Sequence, residues 1–227
     1  MNGKILVTGC SGLVGTHTAN KLVEKGYEVV GVDIKTSEFL PKKNFEFILM
    51  DLRDADDVSV LFDQFKFDGV INSFGIKGSP IRVQTKPIEY LEPSIKVNVN
   101  IIDNCVKHDC WLVYMSSVGV YEPAEVFIED TVWSTFPSKK DWYGGWSKRI
   151  PELYLEAYKV QEGYDKYTIV RPANIFGEYD NFGEGSTAIA STIKKVFEAT
   201  DEIVSWGDGS PTRDFIYGGD VADASIK

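Results

Sequence analysis

A glycine-spaced turn, Gly9-x-x-Gly12-x-x-Gly15, sits between a short apolar run at residues 4–7 and an amphipathic stretch at residues 13–25. Glycine at the first position permits a tight turn, and at the second it lets the backbone approach a pyrophosphate. At the third it lets a helix pack closely on the preceding strand. Ser11, Leu13 and Val14 would open that helix, where unpaired N–H groups and the positive end of the helix dipole attract phosphate. Glycines alone are a weak sign, because many strand–turn–helix junctions carry them for packing. Here the next β-branched run, Glu28-Val29-Val30-Gly31-Val32, ends at Asp33, close to the roughly 20-residue offset at which a carboxylate meets the ribose. Together these features predict a dinucleotide site built by Gly9, Ser11, Gly12, Leu13, Val14, Gly15 and Asp33. A carboxylate at Asp33 accepts hydrogen bonds from a ribose 2′-hydroxyl and repels a 2′-phosphate, which favours NAD. Lys35, two residues on, would offset that repulsion and keeps NADP as the second choice.

The same alternation continues along the chain. Apolar runs at residues 45–50, 69–73, 111–115 and 167–170 are separated by helical patterns at residues 58–65, 95–107 and about 145–161. Continuously apolar strands, each followed by an amphipathic helix, predict a parallel sheet covered on both faces: a doubly wound α/β fold with its crevice at the carboxyl ends of the strands. The rhythm breaks after Gly177, where a Gly-, Asn- and acid-rich stretch reads as loops plus one helix at about residues 191–199. The expected division is a dinucleotide-binding domain over residues 1–177, a small substrate lobe over 178–212 and a return segment over 213–227.

Composition excludes several partners. The 227 residues carry 24 Lys and Arg against 34 Asp and Glu, a net charge of −10, so the average surface repels a nucleic-acid backbone. No apolar stretch approaches the roughly 20 residues of a membrane span, and the apolar run before Gly9 is too short for a signal-peptide core. Cys10, Cys105 and Cys110 form no Cys-x-x-Cys pair and build no metal cluster with His17 and His108. Reduced, buried thiols in a cytoplasmic protein are expected.

With the glycine turn placed, several further segments occur in the order of one family. Asp51-Leu52 follows the third strand, and Asn98 lies in Val97-Asn98-Val99-Asn100. Ser116-Ser117-Val118-Gly119-Val120-Tyr121 follows a later strand, then come Arg171-Pro172-Ala173-Asn174-Ile175-Phe176-Gly177 and Gly207-Asp208-Gly209 through Arg213-Asp214-Phe215. Over essentially its whole length the sequence resembles the extended short-chain dehydrogenase/reductases, the NAD-dependent epimerase/dehydratase family with its Rossmann fold. Tyr179-Asp180-Asn181-Phe182 and Trp206-Gly207 are similar to the GDP-fucose synthase branch. The resemblance implies a nucleotide-sugar substrate, with a GDP-sugar favoured, and hydride transfer at a sugar carbon by an epimerase or keto-sugar reductase. It adds Asp51, Leu52, Asn98 and Lys148 to the cofactor contacts. Ser117 becomes the serine that orients the sugar oxygen, and Asn174 and Arg213 become the residues that meet the nucleotide diphosphate. For Arg213 the bland alternative is an ion pair with Asp214 or Asp220. Lys77, after the fourth strand, is a weaker candidate for the crevice.

One position departs from the family. Its tyrosine and lysine lie four apart on a helix, but four residues before Lys148 stands Gly144, and Tyr143 is five before. At about 100° per residue that offset turns Tyr143 about 140° from Lys148 instead of about 40°. Gly144-Gly145 would delay the helix start and let Tyr143 swing inward, and Pro151 would bend the helix or force a late start. The alternatives are Tyr143 as a displaced acid/base, another group or a water in its place, or a catalytically silent dinucleotide-binding protein with a sensor or scaffold role. Val118 and Gly119 occupy the places of the Asp-Glu pair found in the family's dehydratases, which disfavours 4,6-dehydration. Glu122 and Glu125 read as solvated loop acids. Apolar faces at residues 95–105 and 150–158 imply the family's homodimer through two helices per subunit. Members of the family generally continue for several tens of residues beyond Asp220-Val221-Ala222, so a reduced C-terminal lobe, or a fragment, is expected.

Overall fold

Period-two patterning along the strands divides the core into two layers. Leu6 packs on one side of the sheet with Val30, Phe62, Val70, Ile101, Leu112 and Leu155. Its neighbour Val7 packs on the other with Ala19, Leu22, Val29 and Ile71. Adjacent residues thus feed opposite faces, as a strand buried on both sides requires. The structure, a computed structural model, describes residues 2–76, 80–183, 185–204, 208–210 and 212–227.

The elements run β1 (Asn2–Thr8), α1 (Leu13–Glu24), β2 (Tyr27–Asp33), β3 (Phe45–Leu49), α2 (Ala55–Phe65), β4 (Gly69–Asn72), α3 (Pro80–Thr85), α4 (Ile88–Lys107) and β5 (Trp111–Met115). They continue with α5 (Trp142–Glu162), β6 (Tyr167–Val170), β7 (Asn174–Phe176), α6 (Ala188–Glu198), β8 (Phe215–Tyr217) and α7 (Gly218–Ile226). The six-stranded sheet is wholly parallel in the order β3-β2-β1-β4-β5-β6. Its order reverses between β1 and β4, and this is where a doubly wound sheet opens a crevice beyond its carboxyl edge. α2, α4 and α5 supply the Leu6 layer, and α1 with the end of α7 supplies the Val7 layer.

Three findings depart from the sequence reading. α5 begins at Trp142, ahead of both glycines, and runs through Pro151 to Glu162, so neither the late start nor the delayed start occurs. α4 begins at Ile88 and carries Pro93 inside it. The helix expected at about residues 191–199 is α6, but the return segment adds what the sequence reading did not give: β8 pairs in parallel with β7, and α7 follows directly. Three-residue strands are too short to show a period, which is why the sequence did not reveal this second sheet. Cys10, Cys105 and Cys110 are buried and unpaired. Among the described residues no helix is long and apolar enough to cross a membrane.

Candidate active site

The glycine turn follows the carboxyl end of β1, beside the reversal in strand order. Gly9 has φ +61°, and its carbonyl accepts from the Gly12 N–H at 3.0 Å. A Cβ on Gly15 would stand 2.7 Å from the Cys10 Cα, so only glycine lets α1 press this closely on the turn. No side chain caps α1 and no acid lies in its first turn, which leaves its positive end free for an anion. These features fit a dinucleotide diphosphate at the start of α1; the Ser11 and Gly12 N–H groups are already engaged by Asp33 and Gly9, so those of Leu13 and Val14 would be its backbone partners.

Asp33, at the end of β2, is fastened to this turn. Its Oδ2 accepts from the Ser11 N–H at 3.0 Å and its Oδ1 from the Ile34 N–H at 2.8 Å. The Ser11 hydroxyl in turn donates to the Lys35 carbonyl at 2.6 Å, tying the loop after β2 to the glycine turn. Below them, burial and then the Asp33 charge push the Cys10 thiol up to about 12, so it stays protonated. Asp51 is paired to the Arg53 guanidinium, whose hydrogen bonds hold its carboxyl below the usual range, while Leu52 is buried beside it. Asn98 lies deeper. Its Oδ1 accepts from Asn72 at 2.8 Å, and Asn72 accepts from the Thr8 hydroxyl at 2.7 Å, making a buried chain that joins α4, β4 and β1.

On the β5 side, the Lys148 ammonium donates to the carbonyls of Phe74 and Met115, each at 2.9 Å. It therefore closes the carboxyl ends of β4 and β5 together. Burial lowers its pKa from the usual lysine value to about 8, opposed by the charge of Glu152 one turn on. The two serines after β5 separate. Ser116 is buried and donates to Glu152 at 2.5 Å, whereas Ser117 caps the short turn Val118–Val120, accepting from the Gly119 N–H at 3.1 Å. Lys148 and Ser117 thus converge at one edge. Tyr143 lies in the first turn of α5, 37% exposed, and among the described residues no hydrogen bond joins it to Lys148 or Ser117. Glu122 and Glu125 are exposed.

Two residues that sequence reasoning missed flank this group. Glu152, fully buried on α5, accepts from Arg171 Nε at 3.0 Å and from its terminal nitrogen at 2.8 Å, and it holds Ser116 as well. Asp141, at the start of α5, lies against Gly119 and Gly144. No local pattern signals either, since their partners stand 19 to 36 residues away or in another loop.

Of the substrate candidates, Asn174 opens β7 and Arg213 lies two residues before β8. The Asn174 amide donates to the Asp214 carbonyl at 2.8 Å and so fixes the strand that follows Arg213. Arg213 is exposed and donates to the Thr212 carbonyl at 2.7 Å; among the described residues no ion pair joins it to Asp214 or Asp220. Lys77, Trp206 and Gly207 fall outside the described residues.

Comparison with known proteins agrees with this geometry. A "Putative UDP-glucose 4-epimerase" of Methanocaldococcus jannaschii is 31% identical over 237 residues, covering 98% of this chain and 72% of that protein. GDP-L-fucose synthase 1 of Arabidopsis thaliana is 28% identical, covering 99% of this chain and 68% of its own length. Among solved structures, the UDP-glucose 4-epimerase of Thermotoga maritima with UDP-glucose gives a TM-score of 0.85 at 27% identity, over 98% of this chain and 72% of that one. That of Thermus thermophilus in complex with NAD gives 0.83 at 26% identity, over 98% and 73%. These names are those of enzymes and lend nothing to the sensor or scaffold alternative. The family model named NAD dependent epimerase/dehydratase family matches residues 5–227, and the chain, built around that glycine turn and its strand-end acid, belongs to this family.

Proposed function

We propose that the chain is an NAD-using nucleotide-sugar epimerase or keto-sugar reductase that exchanges hydride at a sugar carbon. The observation that carries this reading is the convergence of the buried Lys148 amine and Ser117 at the carboxyl edge of the sheet, beside the uncapped α1 turn. When bound, the nicotinamide supplies a hydride acceptor or donor. The protein's part is positional. The start of α1, through the Leu13 and Val14 N–H groups, holds the diphosphate, with Ser11 and Gly12 shaping the turn beneath it; Asp33 grips the adenosine ribose, and Asp51 and Leu52 border the adenine. Lys148 binds the nicotinamide ribose and raises the local positive potential for proton transfer. Ser117 offers its hydroxyl to the reacting sugar oxygen, holding it in line. Arg213 and Asn174 meet the nucleotide diphosphate, a task suited to a guanidinium that can pair two phosphate oxygens.

Asp33 supports NAD over NADP. Asn98, sealed in its amide chain, supports the floor of the crevice by fixing α4 to β1 and β4. A homodimer through α4 and α5 and a cytoplasmic setting complete the proposal, the latter supported by three buried thiols. Relatives of both UDP- and GDP-sugar type match the chain, so the test uses UDP-, GDP- and dTDP-sugars with NAD, following absorbance at 340 nm and sugar products by NMR. Conversion of at least one sugar is expected. Binding without conversion of any of them would contradict the proposal.

A further inference from the structure

We propose that Asp141, rather than Tyr143, exchanges the proton with the reacting sugar hydroxyl; this rests on the epimerase or reductase reading above. Asp141 is the N-cap of α5, yet its carboxylate accepts no capping hydrogen bond. An N-cap aspartate ordinarily accepts from the N–H two or three residues on. Here the carboxylate is turned over Gly144 instead, where a Cβ on residue 144 would come within 3.0 Å of its Cγ and overlap Oδ1. Asp141 fills the space that the missing side chain leaves.

Helix geometry places it on the working face. Seven residues separate Asp141 from Lys148, a rotation of about 700°, which leaves the two about 20° apart. Tyr143 is turned about 140° away on the same count. Asp141 also stands beside Ser117. The point where a Gly119 Cβ would lie is 2.8 Å from Asp141 Oδ2 and 3.4 Å from Ser117 Oγ. A sugar oxygen held by Ser117 is therefore within reach of the carboxylate. Among the described residues no hydrogen bond or ion pair occupies that carboxylate, although Lys139 and Lys140 precede it and Lys148 shares its face. Asp141 as a residue is exposed, but partial desolvation of its carboxyl raises the pKa from the usual aspartate value, toward the range of a useful acid/base.

The step balances. In the oxidative direction the O–H and C–H bonds of one carbinol break and a C=O bond forms. The hydride passes to NAD⁺, giving NADH, and the proton passes to the Asp141 carboxylate. Reduction returns both, to the same face of the sugar carbon or to the other.

The test compares wild type, D141N and Y143F on the sugar that the wild type converts. Asparagine is an equally good N-cap, so α5 should keep its start. D141N should lose at least 100-fold in kcat, in line with the roughly 10²–10⁴-fold contribution of a positioned acid/base, with NAD⁺ affinity by calorimetry unchanged. Y143F should stay within about 3-fold of wild type, well below that contribution. Carbon-13 NMR of aspartate-labelled protein gives a readout apart from turnover: the resonance absent from D141N should titrate above the other aspartates and shift when NAD⁺ and sugar bind. If D141N does not fold, D141E should retain turnover and D141S should not. Full activity in D141N or D141S, or a carboxyl resonance that titrates normally and ignores both ligands, would overturn the proposal. A wild type inert on every sugar defeats the reaction reading itself, and the Asp141 assignment falls with it.

Discussion

Asp33 links the glycine turn to the second strand through the Ser11 and Ile34 N–H groups, and in the proposed complex it also accepts from the adenosine ribose. Replacing it by alanine removes a charged acceptor worth about 1.5–3 kcal/mol. D33A should therefore weaken NAD⁺ binding by roughly 10- to 150-fold in calorimetry. It should weaken NADP⁺ binding far less. Lys148 makes a prediction about pH. Its folded pKa, about 8, lies below the usual lysine value of 10.5. Within that window the unfolded chain holds the proton and the folded chain does not, so stability rises with pH. Even the neutral amine can donate to both carbonyls, so the contacts survive deprotonation. Between pH 7.5 and 10, wild type should gain roughly 1–3 kcal/mol relative to K148M in denaturant unfolding. A constant difference would show that the amine is not shifted. At this scale the sequence was readable where residues act locally: the glycines and Asp33 declare themselves by spacing. Asp141 did not, because its meaning comes from Gly119, in another loop, and from the absence of a side chain on Gly144.

α5 is the element on which the site turns. It carries Lys148 toward β4 and β5, and one turn later carries Glu152 beneath β5 and β6, where the carboxylate meets Ser116 and Arg171. Arg149, also buried, stacks 5.2 Å from the Trp133 ring and 5.4 Å from Trp146. The Arg171 guanidinium is paired to this buried acid and Arg149 feels its charge, so removing it strands charge in a low-dielectric site. E152A should cost about 3–5 kcal/mol in unfolding free energy, far more than an exposed control such as E156A. The start of α5 is equally constrained, since a Cβ on Gly145 would meet the Gly119 carbonyl and Pro137 at 2.5 Å. G145A should lower stability by about 1–3 kcal/mol through overpacking, measured by the denaturant midpoint. The helix pattern was legible in the sequence, but its ends were not. Pro151 and the glycine pair suggested a late start, and burial of Gly145, Ser147 and Pro151 against neighbouring loops overrode those local preferences.

Across the whole molecule, the parallel sheet was legible because its strands have apolar centres and most of its crossovers are amphipathic helices, whereas the order of the strands was not. The reversal between β1 and β4 then fixes where the crevice lies, and every residue assigned to the cofactor gathers on that edge or beneath it. What the sequence concealed is the second, two-stranded sheet, because its pairing joins residues about 40 positions apart through strands of three residues each. Asn174 lies in that sheet and Arg213 just before it, so the proposed substrate contacts depend on long-range pairing while the proposed cofactor contacts depend on local spacing. The central claim is that the glycine turn and Asp33 together bind a nicotinamide dinucleotide, and calorimetry tests it most directly. Titrating NAD⁺, NADH, NADP⁺ and NADPH into the folded chain should show saturable binding at a single site, with NAD⁺ or NADH preferred and the preference lost in D33A. Folded wild-type protein that gives no binding heat with any of the four, at several temperatures, would contradict the account.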